Sequence, residues 1–192
     1  MQAHYDHAAA LAEIKKISEA AMWATEDDTR LLEDGGFSDP HSGRNEIFKP
    51  LKVDKIISEG DVIELGDTHL QVYEHPGHTE GSSSYSMQVR ENGREYKVAI
   101  VNMASIAGNK LANKPTYPGI ANDYAETFSK QKNMDIDIWV AAHGSQYGLH
   151  NKYQPGQLYS PDTFVDPEGF IRLVKAYEAV YLKQLAEEQS KN

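Results

Sequence analysis

The chain has 192 residues, the size of one domain, and its 40% hydrophobic and 25% charged residues are those of an ordinary folded protein. A formal charge of −10 argues against nucleic acid as a partner, because no basic stripe is available to displace phosphate counterions. The absence of cysteine excludes disulfides, thiolate ligands and a cysteine nucleophile, and no apolar run reaches the roughly 18–20 residues that span a bilayer.

In chain order, Leu11, Ile14 and Ile17 recur at spacings of three with charged residues between them, which predicts a helix from Ala8 to Ala21. "AMWAT" (21–25) reads as a short strand, and "EDDTRLLEDGG" as a helix stopped by Gly35 and Gly36, with a loop over 35–50. "DKIISEGDVIELGDTHLQVYEHP" alternates apolar positions on both sides of Gly66-Asp67, as a hairpin requires. "SSSYSMQVRENGREYKVAIVNM" repeats the device around Asn92-Gly93, the strongest turn signal in the chain. After a Pro/Gly-rich loop, "IANDYAETFSKQKN" predicts a helix and "DIDIWVAAH" a strand. From Pro167 to Glu188, Phe170, Leu173, Val174, Tyr177, Val180, Tyr181 and Leu185 predict one face of a long amphipathic helix. Helices flanking an antiparallel β-meander, without repeat or linker, predict an α+β layer protein that forms a single domain over 1–192.

Three places put imidazole or carboxylate groups at chain turns. His4, Asp6 and His7 precede the first helix, His78 follows the Pro76-Gly77 turn after a strand, and His143 ends an apolar strand before Gly144. Imidazole nitrogen and carboxylate oxygen are the donors zinc favours in hydrolytic sites, where a coordination position stays open for water. Each histidine alone is more readily a hydrogen-bonded or surface residue. Three such histidine-bearing turns together point to one site. His75 reads as a turn or supporting residue, and His41, His69 and His150 as solvated side chains; Met103 and Tyr117 read as packing.

"QAHYDH", "HPGHTEGS" and "AAHGSQYGLH" together resemble the three ordered signatures of the metallo-β-lactamase superfamily. "PGHTEGSSSYSMQV" and "HGSQYGLHNK" look most like the β-lactamases of the subclass without a cysteine ligand, and the Gln-Ala-His start and "VNM" resemble its GOB-like branch, in which glutamine replaces the first motif histidine. The resemblance implies an αββα sandwich and a hydrolase that opens the β-lactam amide bond by a zinc-bound hydroxide, conferring resistance from the periplasm or outside the cell. It implies that Gln2, His4 and His78 hold one zinc ion and Asp6, His7 and His143 a second, so that one or two Zn2+ ions are used, with Asp6 also catalytic. Ser105 and Tyr147 are the substrate-side candidates. Glutamine is a weaker zinc ligand than imidazole, so the first position is expected to be the weaker one.

Thioesterases and lactonases of the same fold usually carry an aspartate bridging both metals at the end of the strand that follows the middle histidine motif. Here that strand ends in Asn102-Met103, which disfavours them, and Asp123 is the carboxylate that keeps them open. In the resembled family the first motif lies near mid-chain, after a first β-sheet. Here it starts at residue 2. The expectation is therefore mainly the C-terminal half of the sandwich, with an apolar sheet face that a further segment or self-association would cover. The competing expectation is a zinc-binding half-domain without activity.

Overall fold

The computed structural model describes residues 1–41 and 45–191, so part of the expected 35–50 loop, 42–44, lies outside the described residues. α2 (Leu11–Ser18) stands within the helix expected over 8–21, and a further short helix, α1 (Tyr5–Ala8), precedes it where a loop was expected. The break has a local cause: the His4 carbonyl accepts from His7 and Ala8, and the pattern restarts at Ala10, whose carbonyl accepts from Glu13 and Ile14. The expected apolar stripe also turns outward, with Ile14 and Ile17 exposed, because the small faces of Ala8 and Ala12 pack closely on Leu31, Leu32, Phe48 and Leu51.

β1 (Trp23–Ala24) leads into α3 (Glu26–Asp34), which stops at Gly35 as expected. The segment after the loop, read as part of a hairpin, instead gives β2 (Lys55–Ile56), paired in parallel with β1 in a separate two-stranded sheet. That pairing joins residues some thirty positions apart, and no local signal encodes it.

The main sheet follows the expected meander. β3 (Val62–Leu65) and β4 (Thr68–Glu74) form the first hairpin, and β5 (Ser83–Glu91) and β6 (Arg94–Val101) the second, turning at Asn92 and Gly93 with φ of 50° and 81°. α4 (Ile120–Lys132) then carries the chain to β7 (Ile138–Ala141), which joins parallel to β6 and makes the sheet mixed, in the order β3-β4-β5-β6-β7. α5 (Leu149–Lys152) and a 3-10 helix (Pro161–Phe164), neither anticipated, precede α6 (Pro167–Gln189), whose Asp166 cap accepts from the Gly169 amide. No helix among the described residues is long and apolar enough to cross a membrane.

Cross-strand partners share a face. One face presents Ala99, Val101 and Trp139 to α4 and α6, and with Tyr124, Phe128, Phe170 and Val174 it forms the main core. Val180 departs from the expected helix face and is 53% exposed. The opposite sheet face is also apolar. Val72, Tyr85, Met87, Val98, Ile100 and Val140 share it, and apart from the buried Val72 they are half-buried, with Val89 exposed at its end.

Phe128 is fully buried against the rings of Tyr124 and Tyr181, at 6.1 and 5.6 Å. Phe128→Ala is expected to lower stability by about 3–5 kcal/mol through the cavity it leaves, read as an earlier midpoint in urea unfolding.

Candidate metal centre

A cavity of about 340 Å³ is lined by Gln2, His4, Asp6, His78 and His143, together with His41, Asn102, Met103 and Ser105. Gln2 and His4 lie on the segment before α1, which is tied to the sheet where the Met1 carbonyl accepts from the Ser83 amide at 2.8 Å. Asp6 and His7 occupy α1 itself. His78 sits between β4 and β5, just after Gly77 at φ +131°, where an added Cβ would meet the Tyr124 ring at 2.9 Å. His143 stands two residues beyond the end of β7.

The side chains gather into two adjacent groups. Asp6 Oδ2 lies 3.4 Å from His7 Nε2 and 3.4 Å from His143 Nε2, and one ligand atom from each of the three lies within 4.8 Å of the others. The His4 and His78 rings are 4.9 Å apart, with the Gln2 carboxamide lining the same cavity.

Burial keeps three imidazoles, those of His4, His7 and His78, neutral. It pulls His78 down to about 4 against the hydrogen bond to the Ser105 carbonyl, and it lowers His7 and His4 against the opposing pull of Asp6 and Asp39 respectively. A neutral ring is the form that binds a metal. His78 Nδ1 is 2.8 Å from the Ser105 carbonyl, which can only accept, so Nδ1 carries the proton and Nε2 keeps its lone pair. Tyr124 donates to the same carbonyl at 2.9 Å and Asn109 to the His78 carbonyl at 3.1 Å.

A second junction holds the two ligand-bearing loops together. An added Cβ on Gly81 would lie 2.3 Å from the Asp28 amide, and Thr25 Oγ1 donates to the Gly81 carbonyl at 2.7 Å, so the first turn of α3 packs directly on the His78 loop. The fully buried Asp28 carboxyl is pushed up to about 6 by desolvation, against hydrogen bonds from Thr79 and from the amides of Gly81 and Ala3. Ala3 lies between Gln2 and His4.

The donor set leaves atoms that nothing in the protein satisfies. Gln2 Oε1 and His7 Nε2 are buried without a hydrogen-bond partner, a condition that costs roughly 1–3 kcal/mol per group. Atoms with lone pairs facing one cavity, drawn from imidazole, carboxylate and amide, suit a divalent transition metal.

The remaining sequence candidates fall in several places. Ser105 lines the cavity, with Oγ 3.2 Å from His78 Nδ1. Tyr147 packs edge-on to Trp139 at 6.2 Å and does not line the cavity. Asp123 stands beside Tyr117, also away from it, and Met103 and Tyr117 are buried in the main core. His75 is wholly buried, with Nδ1 2.7 Å from Ser84 Oγ; that hydroxyl accepts from the Asn102 amide, while Gln131 donates to the Asn102 carbonyl. His41, read as solvated, instead lines the cavity with its ring 5.4 Å from His4. Asp39 and Asn102 also belong to the site and were not anticipated. No periodicity or turn signal marks them, because the loop that carries Asp39 and His41 reaches His4 only through tertiary packing.

Comparison with known proteins gives the class. Residues 3–143 match the family model of the metallo-β-lactamase superfamily. Among solved structures, the chain is similar to the class B3 di-zinc metallo-β-lactamase LRA-12 from an Alaskan soil metagenome, at 42% identity and a TM-score of 0.91, covering 96% of this chain and 70% of that one. It is also similar to a β-lactamase from Chitinophaga pinensis (40% identity, TM-score 0.92, covering 96% and 71%) and to the metallo-β-lactamase GOB-18 from Elizabethkingia meningoseptica (39%, 0.92, covering 97% and 70%). The chain belongs to the metallo-β-lactamase superfamily, and class B3 enzymes, with GOB-18, stand among its structural neighbours as the Gln-Ala-His start implied. The fold and these neighbours make it a metal-dependent hydrolase of that family.

The buried network generates a pH dependence. Burial holds His75 down to about 3, whereas the unfolded chain protonates it near the ordinary 6.5. Its neutral ring therefore supports the fold fully above pH 6.5, and that support is lost progressively as pH falls from 6.5 toward 3. His75→Gln is expected to flatten this acid limb, measured by urea unfolding of the metal-free chain across pH 4–7, with a shallower slope remaining from His78, His4 and His7, which burial also lowers.

Proposed function

We propose that this chain hydrolyses the amide bond of β-lactam rings with zinc held by Gln2, His4 and His78 at one position and by Asp6, His7 and His143 at the other. The observation that carries the reading is the convergence of Gln2, His4, Asp6, His78 and His143 on one cavity, with His7 joined to them at Asp6 Oδ2, in two adjacent groups. Neighbours described as β-lactamases, one of them as a di-zinc enzyme, support it. A periplasmic or secreted location and a role in resistance belong to the same proposal.

Zinc, when bound, supplies Lewis acidity and lowers the pKa of a coordinated water toward neutrality. The chain's own residues do the rest. His78 is oriented by the Ser105 carbonyl, and His7 and His143 are drawn to Asp6 Oδ2 from two sides. That leaves Asp6 Oδ1 as the oxygen placed to take up a proton and pass it to the leaving nitrogen. Ser105 Oγ, at the cavity wall, is placed to donate to a substrate carboxylate, while Tyr147 acts through its packing on Trp139, holding the 144–149 turn that follows His143. Gln2, a neutral amide, makes the first zinc position the weaker of the two.

One observation favours the second reading, a zinc-binding half-domain without activity: the apolar sheet face carrying Tyr85, Met87, Val98 and Ile100 is only half-buried. Cover for that face, by self-association or by a further segment, is part of the active reading.

With zinc supplied, the purified chain is expected to turn over a chromogenic cephalosporin and to lose that activity to a chelator. Absence of turnover at full zinc loading sinks the active reading. Asp6→Asn is expected to lower kcat by at least about 100-fold, the scale of a lost proton-transfer group. A thioester and a lactone assayed alongside are expected to be poor substrates.

A further inference from the structure

We propose that Asp39 is a positioning residue for the first metal position: its carboxylate holds His4 by Nε2, turns Nδ1 toward the metal, and strengthens His4 as a donor where its companion ligand Gln2 is weak. The inference rests on the ligand assignment above and concerns a residue outside it.

Asp39 Oδ2 lies 3.7 Å from His4 Nε2, with the two side chains only 7% and 8% exposed. The approach is fixed from the loop side. Asp39 Oδ1 accepts the His41 amide at 2.8 Å, and the Asp39 amide donates to the Gly36 carbonyl at 3.2 Å, so the turn that follows α3 leaves Oδ2 aimed at the imidazole. His4 Nε2 is buried with no hydrogen-bond partner, so the carboxylate is the group placed to receive its proton. The His41 and His78 rings also pack beside His4, at 5.4 and 4.9 Å.

A carboxylate behind a ligating imidazole fixes the tautomer and raises the basicity of the nitrogen on the metal, and its removal typically costs about 10–100-fold in metal affinity. The consequence is greatest where the other ligands are poor. Here one of the three is an uncharged carboxamide. The loop after α3 therefore serves the first position, while Asp6, His7 and His143 stand apart from it.

The test is zinc titration of the metal-free full chain in competition with a chromophoric chelator, comparing wild type with Asp39→Asn, Asp39→Ala and Asp39→Glu. His143→Ala identifies which of two binding steps belongs to the second position. Asp39→Asn keeps the shape of the side chain and an oxygen for the His41 amide, so it separates positioning from folding. The expected result is binding at the first position weakened about 10–100-fold in the Asn and Ala variants and partly restored in the Glu variant. Binding at the second position and the thermal midpoint of the Asn variant are expected to stay at wild-type values, and the d–d bands of the Co2+-loaded variant to keep their intensity.

Wild-type affinity in Asp39→Asn, or equal weakening of both steps, overturns the inference. So does a change of Co2+ coordination, which would make Asp39 a ligand itself. Because no β-lactam enters the assay, a chain that turns over no cephalosporin yet shows the Asp39 dependence loses only the lactamase reading. A chain that turns over cephalosporin with an unaltered Asp39→Asn titration loses only this inference.

Discussion

The cavity depends on a buried junction that contains no ligand. The first turn of α3 lies against Gly81, with Asp28 and Thr25 so close that no side chain fits between them. Through this contact the loop that carries His78 and the segment that carries Gln2 and His4 are referred to the same rigid helix. The Met1 carbonyl, taken up by the Ser83 amide, extends the same reference to the edge of β5. Ligands from the far ends of the sequence need such a common anchor, because errors of about half an ångström in ligand placement already degrade a metal or catalytic site. Glycine at 81 is therefore a packing requirement of the site rather than a flexible hinge; the tight neighbours are Asp28 and Thr25, not solvent.

Around the junction, burial performs two tasks. It holds His4, His7 and His78 neutral, so their lone pairs are available without first losing a proton. It also removes the water that would otherwise satisfy Gln2 Oε1 and His7 Nε2, which makes those atoms costly to leave alone. Asp6 differs from the others, its side chain 54% exposed and facing His143, which is also open to solvent. The two groups of candidate ligands thus contrast: His4 and His78 are buried, whereas Asp6 and His143 are open to solvent.

Legibility in the sequence followed the range of the interactions involved. Both hairpins of the meander could be read because their registers are set by turns of two residues, Gly66-Asp67 and Asn92-Gly93. α3 could be read from its glycine stop. The 8–21 helix was misjudged because apolar spacing favoured Leu11, Ile14 and Ile17, whereas close approach favoured the alanines. β1–β2 pairing, the parallel entry of β7, and the inward reach of Asp39 and His41 depend on contacts between distant segments, which periodicity cannot report. The ligand candidates were visible as three motifs. The groups that orient them were not, since an aspartate in a loop and an asparagine at a strand end look the same whether or not a histidine lies beside them.

The two faces of the main sheet sharpen the relation between scaffold and site. Ala99, Val101 and Trp139 are sealed by α4 and α6, and this sealed side fixes the ends of β6 and β7, from which Asn102 and His143 project toward the cavity. The other face, with Tyr85, Met87, Val98 and Ile100, contributes little to that fixing because nothing clamps it as tightly. Ligand geometry and sheet stability are therefore partly separable. The helices on the sealed face hold the strand ends that face the cavity, whereas cover on the opposite face would add apolar burial, at roughly 25 cal/mol per Å² removed from water, without touching a candidate ligand. A change on the half-buried face should thus act on the population of folded chains before it acts on the chemistry of those that are folded.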